Sequence, residues 1–461
     1  MKKISILFCL FFYWFCPAQC WESLAVGDIT AAGIKSDGSL WIWGYYASEN
    51  NYAPIRVGTE NDWKKISVGL GFQIALKNDG TLWAWGNTYA GAVGNGVNTP
   101  GMVWAPIQIG TDTDWLDINC DSAYYTLALK TDGSLWCWGD NHAGCLGLGP
   151  GILDVAVPTR VGLDNDWIFA CASGGSSNFI RGSSFAIKSD GTLWSWGFNS
   201  SGQLGDGTTI NKDIPTPVPN TTGNWKKAVS QMGHSFFLKT DGTLWACGYN
   251  QDGILGIGSD LNAANLNILQ VGTDTDWKDI NTGLSHATAL KTDGTLWCWG
   301  LNTKGQLGLG AAGNHNTPVQ AGDFNAAYAA VSCGLFCTLV LDDNGEIGST
   351  GQNNYGVLGI TSTQYITYSL LPVNCPSLET QAFTAENISL YPNPVTDFLN
   401  IDPETALKMK QITVKDLSGR TVLNTSKNFS PQIDLRHLSK GIFLVEIDTD
   451  KGVVVEKIIK Q

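Results

Sequence analysis

The chain has 461 residues, 43% of them hydrophobic and 15% charged, and 41 acidic against 28 basic side chains give a formal net charge of −13. The excess is concentrated in residues 19–385, which hold 31 acidic and 16 basic side chains, whereas residues 386–461 balance ten against ten. Such a surface repels phosphate backbones and argues against nucleic-acid binding, and the length leaves room for more than one domain.

Residues 1–18 read as a secretory signal peptide: Lys2 and Lys3, an apolar run from Ile4 to Phe15, then Cys16-Pro-Ala18 as a small-residue cleavage site. The run is short for a membrane span, and Gln19 stands where lipidation of Cys20 needs a small residue. The expectation is an exported mature chain with no transmembrane segment.

From Trp21 onward one pattern recurs. KSDGSLWIWG begins at Lys35, KNDGTLWAWG at Lys77, KTDGSLWCWG at Lys130, KSDGTLWSWG at Lys188, KTDGTLWACG at Lys239 and KTDGTLWCWG at Lys291; a worn copy, LDDNGEIGSTG, begins at Leu341. Asp-Gly favours a tight hairpin turn, expected here as type I′, and Leu-Trp-x-Trp alternates with the period of a strand. Trp297 and Trp299 then share one face while Leu296 and Cys298 share the other. A lone hairpin is marginal, so the copies must stack. Each copy is preceded by a strand opening at Trp21, Trp63, Trp115, Trp167, Trp225, Trp277 or Tyr328, spaced by 42, 52, 52, 58, 52 and 51 residues. Each is followed by a turn-rich loop, such as NSSGQLGDGT from Asn199, and by a short Pro-containing strand such as Pro318-Val-Gln320. Seven units of four short strands predict an all-β chain: a seven-bladed β-propeller of four-stranded antiparallel blades over 20–373, closed into a ring to remove sheet edges.

Residues 374–385 read as a linker, and 386–461 as a small β-sandwich domain with turns at Ser418-Gly419 and 450–452. The strand near Tyr365–Val373 has no following copy and is expected to complete the sheet beside Trp21. Cys20 and Cys375 flank the repeats and are a candidate disulfide. The remaining cysteines read as small buried hydrophobes, and no Cys/His cluster has metal-ligand spacing.

Few residues suggest chemistry. His234 and His286 occupy matching repeat positions and read as packing residues. Asp112/Asp114, Asp164/Asp166 and Asp274/Asp276 are pairs that a hard cation could share, or turn residues bonded to their own backbone. No nucleophile motif and no phosphate-binding loop is present, so no catalytic residue, metal or cofactor is expected. Recognition is expected from the insertion Ser173–Ser184, through Ser176, Asn178, Phe179 and Arg181, or from surface aromatics Tyr45, Tyr46, Tyr89 and Trp104.

The recurring W-x-x-I-S, K-x-D-G-x-L-W-x-W-G, G-Q-L-G and P-x-Q motifs resemble those of the regulator of chromosome condensation repeat family. The resemblance spans 20–373 and implies a seven-bladed propeller acting mostly as a protein-interaction platform. The nucleotide-exchange and chromatin roles of its founding eukaryotic member do not suit an exported acidic chain; secreted bacterial members, one of which inhibits β-lactamases through a propeller face, are the nearer analogy. The tail is similar to the C-terminal sorting domain of type IX secretion cargo in Bacteroidetes, through Tyr391-Pro392-Asn393-Pro394-Val395, Asp397, Gly419, Arg420 and Gly441. That resemblance implies handling by the type IX machinery, removal of the tail, and surface attachment or release; an Ig-like adhesion module is the alternative. The function expected is therefore non-enzymatic binding of a protein partner at the cell surface or in the medium, with a carbohydrate-binding adhesin as the alternative.

Overall fold

The structure is a computed structural model that describes residues 21–46, 49–120, 123–174, 182–219, 221, 223–259, 262–323, 326–360, 365–373, 388–403, 409–416, 421–425, 432–449 and 453–461. The chain divides into two compact units, Met1–Cys375 and Pro376–Gln461.

Seven four-stranded antiparallel sheets make up the described part of the first unit, each from four consecutive strands. Blades 1 to 7 open at Trp21, Trp63, Trp115, Trp167, Trp225, Trp277 and Tyr328, and blade 7 ends at Pro372. The recurring motif builds each hairpin through a relay of short bonds. In blade 1 the Gly38 N–H donates to Lys35 O at 2.8 Å, and Gly38 alone in the turn has a left-handed φ, of +75°. The turn is thus type I with a left-handed glycine after it, and the expected type I′ geometry is corrected: Asp37 is busy elsewhere. Its carboxylate accepts from Ser39 N at 2.9 Å and Ser39 Oγ at 2.5 Å, and Ser39 Oγ accepts from Trp41 Nε1 at 2.8 Å. Thr81 and Thr295 relay Asp79 to Trp83 and Asp293 to Trp297 in the same way. A Cβ on Gly38 would meet Asn61 O at 2.1 Å, so the turn also needs glycine to let the next lead-in segment approach.

Alternation along the third strand sends its two faces into two different cores. Trp299 packs with Phe236 and Trp277 between blades 5 and 6, whereas Leu296 and Cys298 pack with Leu339's neighbour Val340 and with Tyr328 between blades 6 and 7. Among the described residues there are seven such inter-blade cores, one per junction, including one between blades 7 and 1. An open row of seven blades would have one fewer, so the ring is closed. Trp43, Trp85, Trp138, Trp196 and Trp299 are all fully buried in these cores. Each indole removes roughly 150–250 Å² from water, about 4–6 kcal/mol gross as an upper bound.

Closure differs from the expectation. The last strand, Ile366–Pro372, pairs with Ile347–Gln352 of its own blade and does not join Trp21. Trp21–Val26 lies at one edge of its own sheet, packed against the first strands of blades 2 and 7, so the two strands do not pair in one sheet. The junction is shut by Trp21 N to Gly345 O at 2.9 Å, Val26 N to Ser332 Oγ at 3.1 Å and Trp43 Nε1 to Val357 O at 2.9 Å. Cys20 and Cys375 lie outside the described residues.

The second unit contains a three-stranded sheet and a four-stranded sheet that share one core, in which Leu399 and Ile401 meet Ile412, Val414, Val445 and Ile458. Asn393 ties the Pro-Asn-Pro segment to the final strand: its amide donates to Lys457 O at 2.8 Å and accepts from Ile459 N at 2.9 Å. Asp397 O accepts from Leu435 N at 2.8 Å, and Gly441 opens the strand that pairs with Val453–Lys460. Pro392 and Pro394 follow cis peptide bonds, and Gly419 and Arg420 fall outside the described residues.

Candidate binding site

The charged residues of the repeat are spent on the scaffold. In blades 1 to 6 the motif lysine lies over two indoles; Lys130 Nζ is 4.7 Å from the centroids of both Trp115 and Trp136. The same ammonium bonds Asp112 at 2.5 Å and Asp114 at 2.9 Å, and Lys188 and Lys291 do likewise with Asp164/Asp166 and Asp274/Asp276. The acidic pairs are thus lysine partners, which leaves a cation no role in holding them together. Burial opposes the charge on these lysines, but the carboxylate bonds outweigh it and raise their pKa.

His234 and His286 are buried between blades and bond Thr282 Oγ1 at 2.8 Å and Thr338 Oγ1 at 3.0 Å. Burial lowers their pKa to about 3 and about 4, so both are neutral packing residues at ordinary pH. The eight described cysteines are all buried. Asp140, His142 and Asp154 could together hold an ion, a cluster that sequence reading did not flag. Its groups are already engaged, Asp140 with His142 Nδ1 and Asp154 with Asn141 N.

The insertion in blade 4 is anchored at its ends by Tyr125, whose hydroxyl lies 2.9 Å from Ser183 O and 3.1 Å from Ser173 N. Ser176, Asn178, Phe179 and Arg181 lie outside the described residues.

The four expected aromatics sit around blades 1 and 2, where the loops joining third to fourth strands emerge. Tyr45 is 39% and Trp104 55% exposed, while Tyr46 and Tyr89 are half-buried. Tyr45, Tyr46 and Trp104 line one cavity of about 160 Å³ with Met102, Val103 and Trp85; Tyr89 instead pairs with Tyr124, ring centroids 5.2 Å apart. Tyr355 of blade 7 stacks edge-on against Tyr45 at 5.6 Å and extends the aromatic ridge toward a second cavity, of about 250 Å³, lined by Asp28, Phe336 and Gln352. Burial raises the Asp28 pKa to about 6. Tyr355, Tyr124 and Met102 were missed from the sequence because they lie in loops and edge strands with no repeated motif.

The first cavity exists because a repeated contact is broken there. In blades 2, 3, 5 and 7 the loop after the third strand carries x-Leu/Val-Gly, and the carbonyl of x accepts from an indole of the next blade. Ala92 O takes Trp138 Nε1 at 3.1 Å, Cys145 O takes Trp196 at 2.8 Å, Ile254 O takes Trp299 at 2.7 Å and Val357 O takes Trp43 at 2.9 Å. These loops are long: residues 88–101 in blade 2, 140–154 in blade 3 and 353–365 in blade 7. In blade 1 only Ala47 and Ser48 separate the strands Leu40–Tyr46 and Glu49–Arg56. Trp85, the indole that a blade 1 loop would cover, is 1% exposed, and its Nε1 has no partner among the described residues. The 42-residue first spacing, about ten short of the others, was the sequence signal for this gap.

Comparison with known proteins places this architecture. Residues 132–180, 190–238 and 293–341 match the regulator of chromosome condensation (RCC1) repeat, a second profile of that repeat matches 117–145 and 277–306, and 389–461 match a secretion system C-terminal sorting domain. The chain carries RCC1 repeats and a C-terminal sorting domain. The sorting domain directs type IX secretion to the cell surface or medium. The RCC1-repeat region is 28% identical over 273 residues to the ultraviolet-B receptor UVR8 of Arabidopsis thaliana, covering 59% of this chain and 60% of the receptor. It is 29% identical over 313 residues to the mitochondrial RCC1 domain-containing protein RUG3 of the same plant, covering 63% and 67%. Among solved structures, human WBSCR16 superposes with a TM-score of 0.60 at 19% identity, covering 71% of this chain and 85% of that one. Yeast RCC1 (Prp20), solved with Kap60, gives 0.59 at 18%, covering 68% and 78%. These two show the propeller fold. No helix among the described residues is long and apolar enough to cross a membrane.

Proposed function

We propose that the mature protein is a non-enzymatic propeller that holds a protein partner, at the cell surface or in the medium, on the loop end of blades 7, 1 and 2. The observation that carries this reading is the ridge of Tyr355, Tyr45 and Trp104, 44%, 39% and 55% exposed, mounted on strands and loops whose opposite sides are locked into inter-blade cores. Rigid, half-exposed aromatics flanking small cavities are the anchors that protein interfaces use, because they bury much area while losing little rotamer freedom. In this reading residues 1–18 are removed on export, cleavage within 374–385 releases 386–461, and the propeller over 20–373 is the working part. The insertion carrying Ser176, Asn178, Phe179 and Arg181 is a second contact region.

A carbohydrate-binding adhesin is the second reading, favoured by the exposed face of Trp104. Affinity capture from the native host's medium, beside a glycan array, separates them. Wild-type protein should retain a polypeptide that Tyr45→Ala/Trp104→Ala loses; glycan binding lost in the same variant, with no retained polypeptide, would establish the adhesin instead.

A further inference from the structure

We infer that the cavity between blades 1 and 2 is a receptor slot for a partner's loop of the x-Leu-Gly type, whose main-chain carbonyl accepts the Trp85 indole N–H. The inference deepens the protein-binding reading and rests on it.

The occupant is defined by what fills the same position elsewhere in the ring. In the neighbouring blades three features arrive together: a carbonyl on the indole nitrogen, an apolar side chain next to it, and a glycine over the ring. Val93, Leu146, Leu204, Leu255, Leu307 and Leu358 are that apolar side chain, each 2% exposed or less and each part of the core between its own blade and the next. A Cβ on Gly94, Gly147, Gly256 or Gly359 would lie 2.8–2.9 Å from the indole nitrogen below it, so no larger residue fits there. Where the next blade lacks the tryptophan, the carbonyl still finds a donor: Gln203 O takes Cys247 Sγ at 3.3 Å, and Gln306 O takes Thr338 Oγ1 at 2.7 Å.

Among the described residues, the core between blades 1 and 2 alone receives no such residue from a preceding loop; Tyr46 and Val103 pack partly into it instead. Among the described residues, unpartnered indoles also occur on the first strands of blades 2 to 6, at Trp63, Trp115, Trp167, Trp225 and Trp277, where they recur with the repeat. Trp85 departs from its own class. A buried N–H without a partner is costly, and a bound carbonyl would remove that cost. The cavity walls match the rest of such a loop: Tyr45, Tyr46 and Met102 are apolar, and Gln73 and Asn87 offer amides to its backbone. At about 160 Å³ it is smaller than the roughly 300 Å³ and upward of small-molecule pockets, and suits one anchor side chain with its peptide group.

The test uses the full chain with 15N-labelled tryptophan and the synthetic peptide Asn-Asn-Tyr-Gly-Val-Leu-Gly-Ile, which copies residues 353–360. The Trp85 indole resonance, assigned by its loss in Trp85→Phe, should move on peptide addition, with that of Trp104 in the same cavity, while the indole signals of blades 3 to 6 stay in place, which also verifies folding. Affinity should fall at least tenfold for the peptide with Ala in place of Leu, and at least tenfold for Trp85→Phe. A Trp85 signal unmoved by millimolar peptide, or equal binding of the Ala peptide, overturns the assignment. So does a signal that moves with protein concentration alone, which would make a second copy the occupant, or with glycans only. If a captured partner binds Trp85→Phe as tightly as wild type, partner binding stands and the slot falls. If the peptide behaves as expected and no partner is captured, the slot stands and the secreted-partner reading falls.

Discussion

Replacing Trp299 and Trp85 separately by phenylalanine isolates the bond that links one blade's loop to the next blade. The two indoles are equivalent in the repeat and equally buried, at 0% and 1% exposure, so the area lost is the same in both variants. Trp299→Phe also removes the donor to Ile254 O, now 2.7 Å away, and strands that carbonyl in a buried loop. Trp85→Phe removes an N–H that no described residue accepts. The difference is the bond with its orphaned partner, about 1–3 kcal/mol. At about 2.1 cal/mol/K per residue, a propeller of blades running from 21 to 372 shifts by about 1.4 °C per kcal/mol. Trp299→Phe should therefore melt about 1.5–4 °C below Trp85→Phe. Tryptophan fluorescence reads this in the full chain without interference, because all 19 tryptophans precede residue 300 and the C-terminal unit has none. Equal melting temperatures would refute the claim that the loop carbonyl stabilises the junction and that Trp85 lacks its counterpart.

Three further outcomes are expected. Stability should fall as pH drops from about 6.5 toward 4: His234 and His286 stay neutral in the native state while the unfolded chain takes up their protons, a slope approaching roughly 1.4 kcal/mol per pH unit for each. Asp28, raised to about 6, holds a proton in the native state and offsets part of that loss, so melting curves of His234→Gln/His286→Gln should show a flatter pH dependence, and an unchanged slope would contradict the assignment. Lys130→Met should cost about 1–2 kcal/mol, chiefly from two lost indole contacts, because the half-exposed Asp112 and Asp114 are screened by water; a neutral effect in urea unfolding would show that the cage is ornamental. Thiol titration of the exported, denatured, unreduced protein should count the eight buried cysteines alone if Cys20 and Cys375 are bridged, and ten if they are not.

Much of the scaffold was legible because its determinants are local and repeated. The Asp-Gly-Thr-Leu-Trp run encodes its own turn, the side chain that fixes the turn, and the indole that reads it. The turn type was misjudged because Asp-Gly was weighed as a pair of positive-φ residues, when Asp37 serves as the acceptor for Ser39. The acidic pairs were ambiguous for a different reason: their partner lysine lies 15 to 24 residues on, across a hairpin, where spacing carries no signal. Ring closure was misplaced because sequence order says which blades adjoin and not which edge of a blade faces inward. The cavity over Trp85 was the least visible feature, since it arises from a loop that blade 1 does not have. Only the short first spacing pointed to it.

The most direct test of the account is site-specific photo-crosslinking in the native host, with a benzophenone amino acid at Trp104 on the aromatic ridge and, separately, at Leu163, which is 86% exposed in the lead-in to blade 4. A propeller that holds a protein on the loop end of blades 7, 1 and 2 should yield a discrete polypeptide adduct from position 104 and none from 163. No polypeptide adduct at 104, or the same set of adducts at both positions, would contradict it.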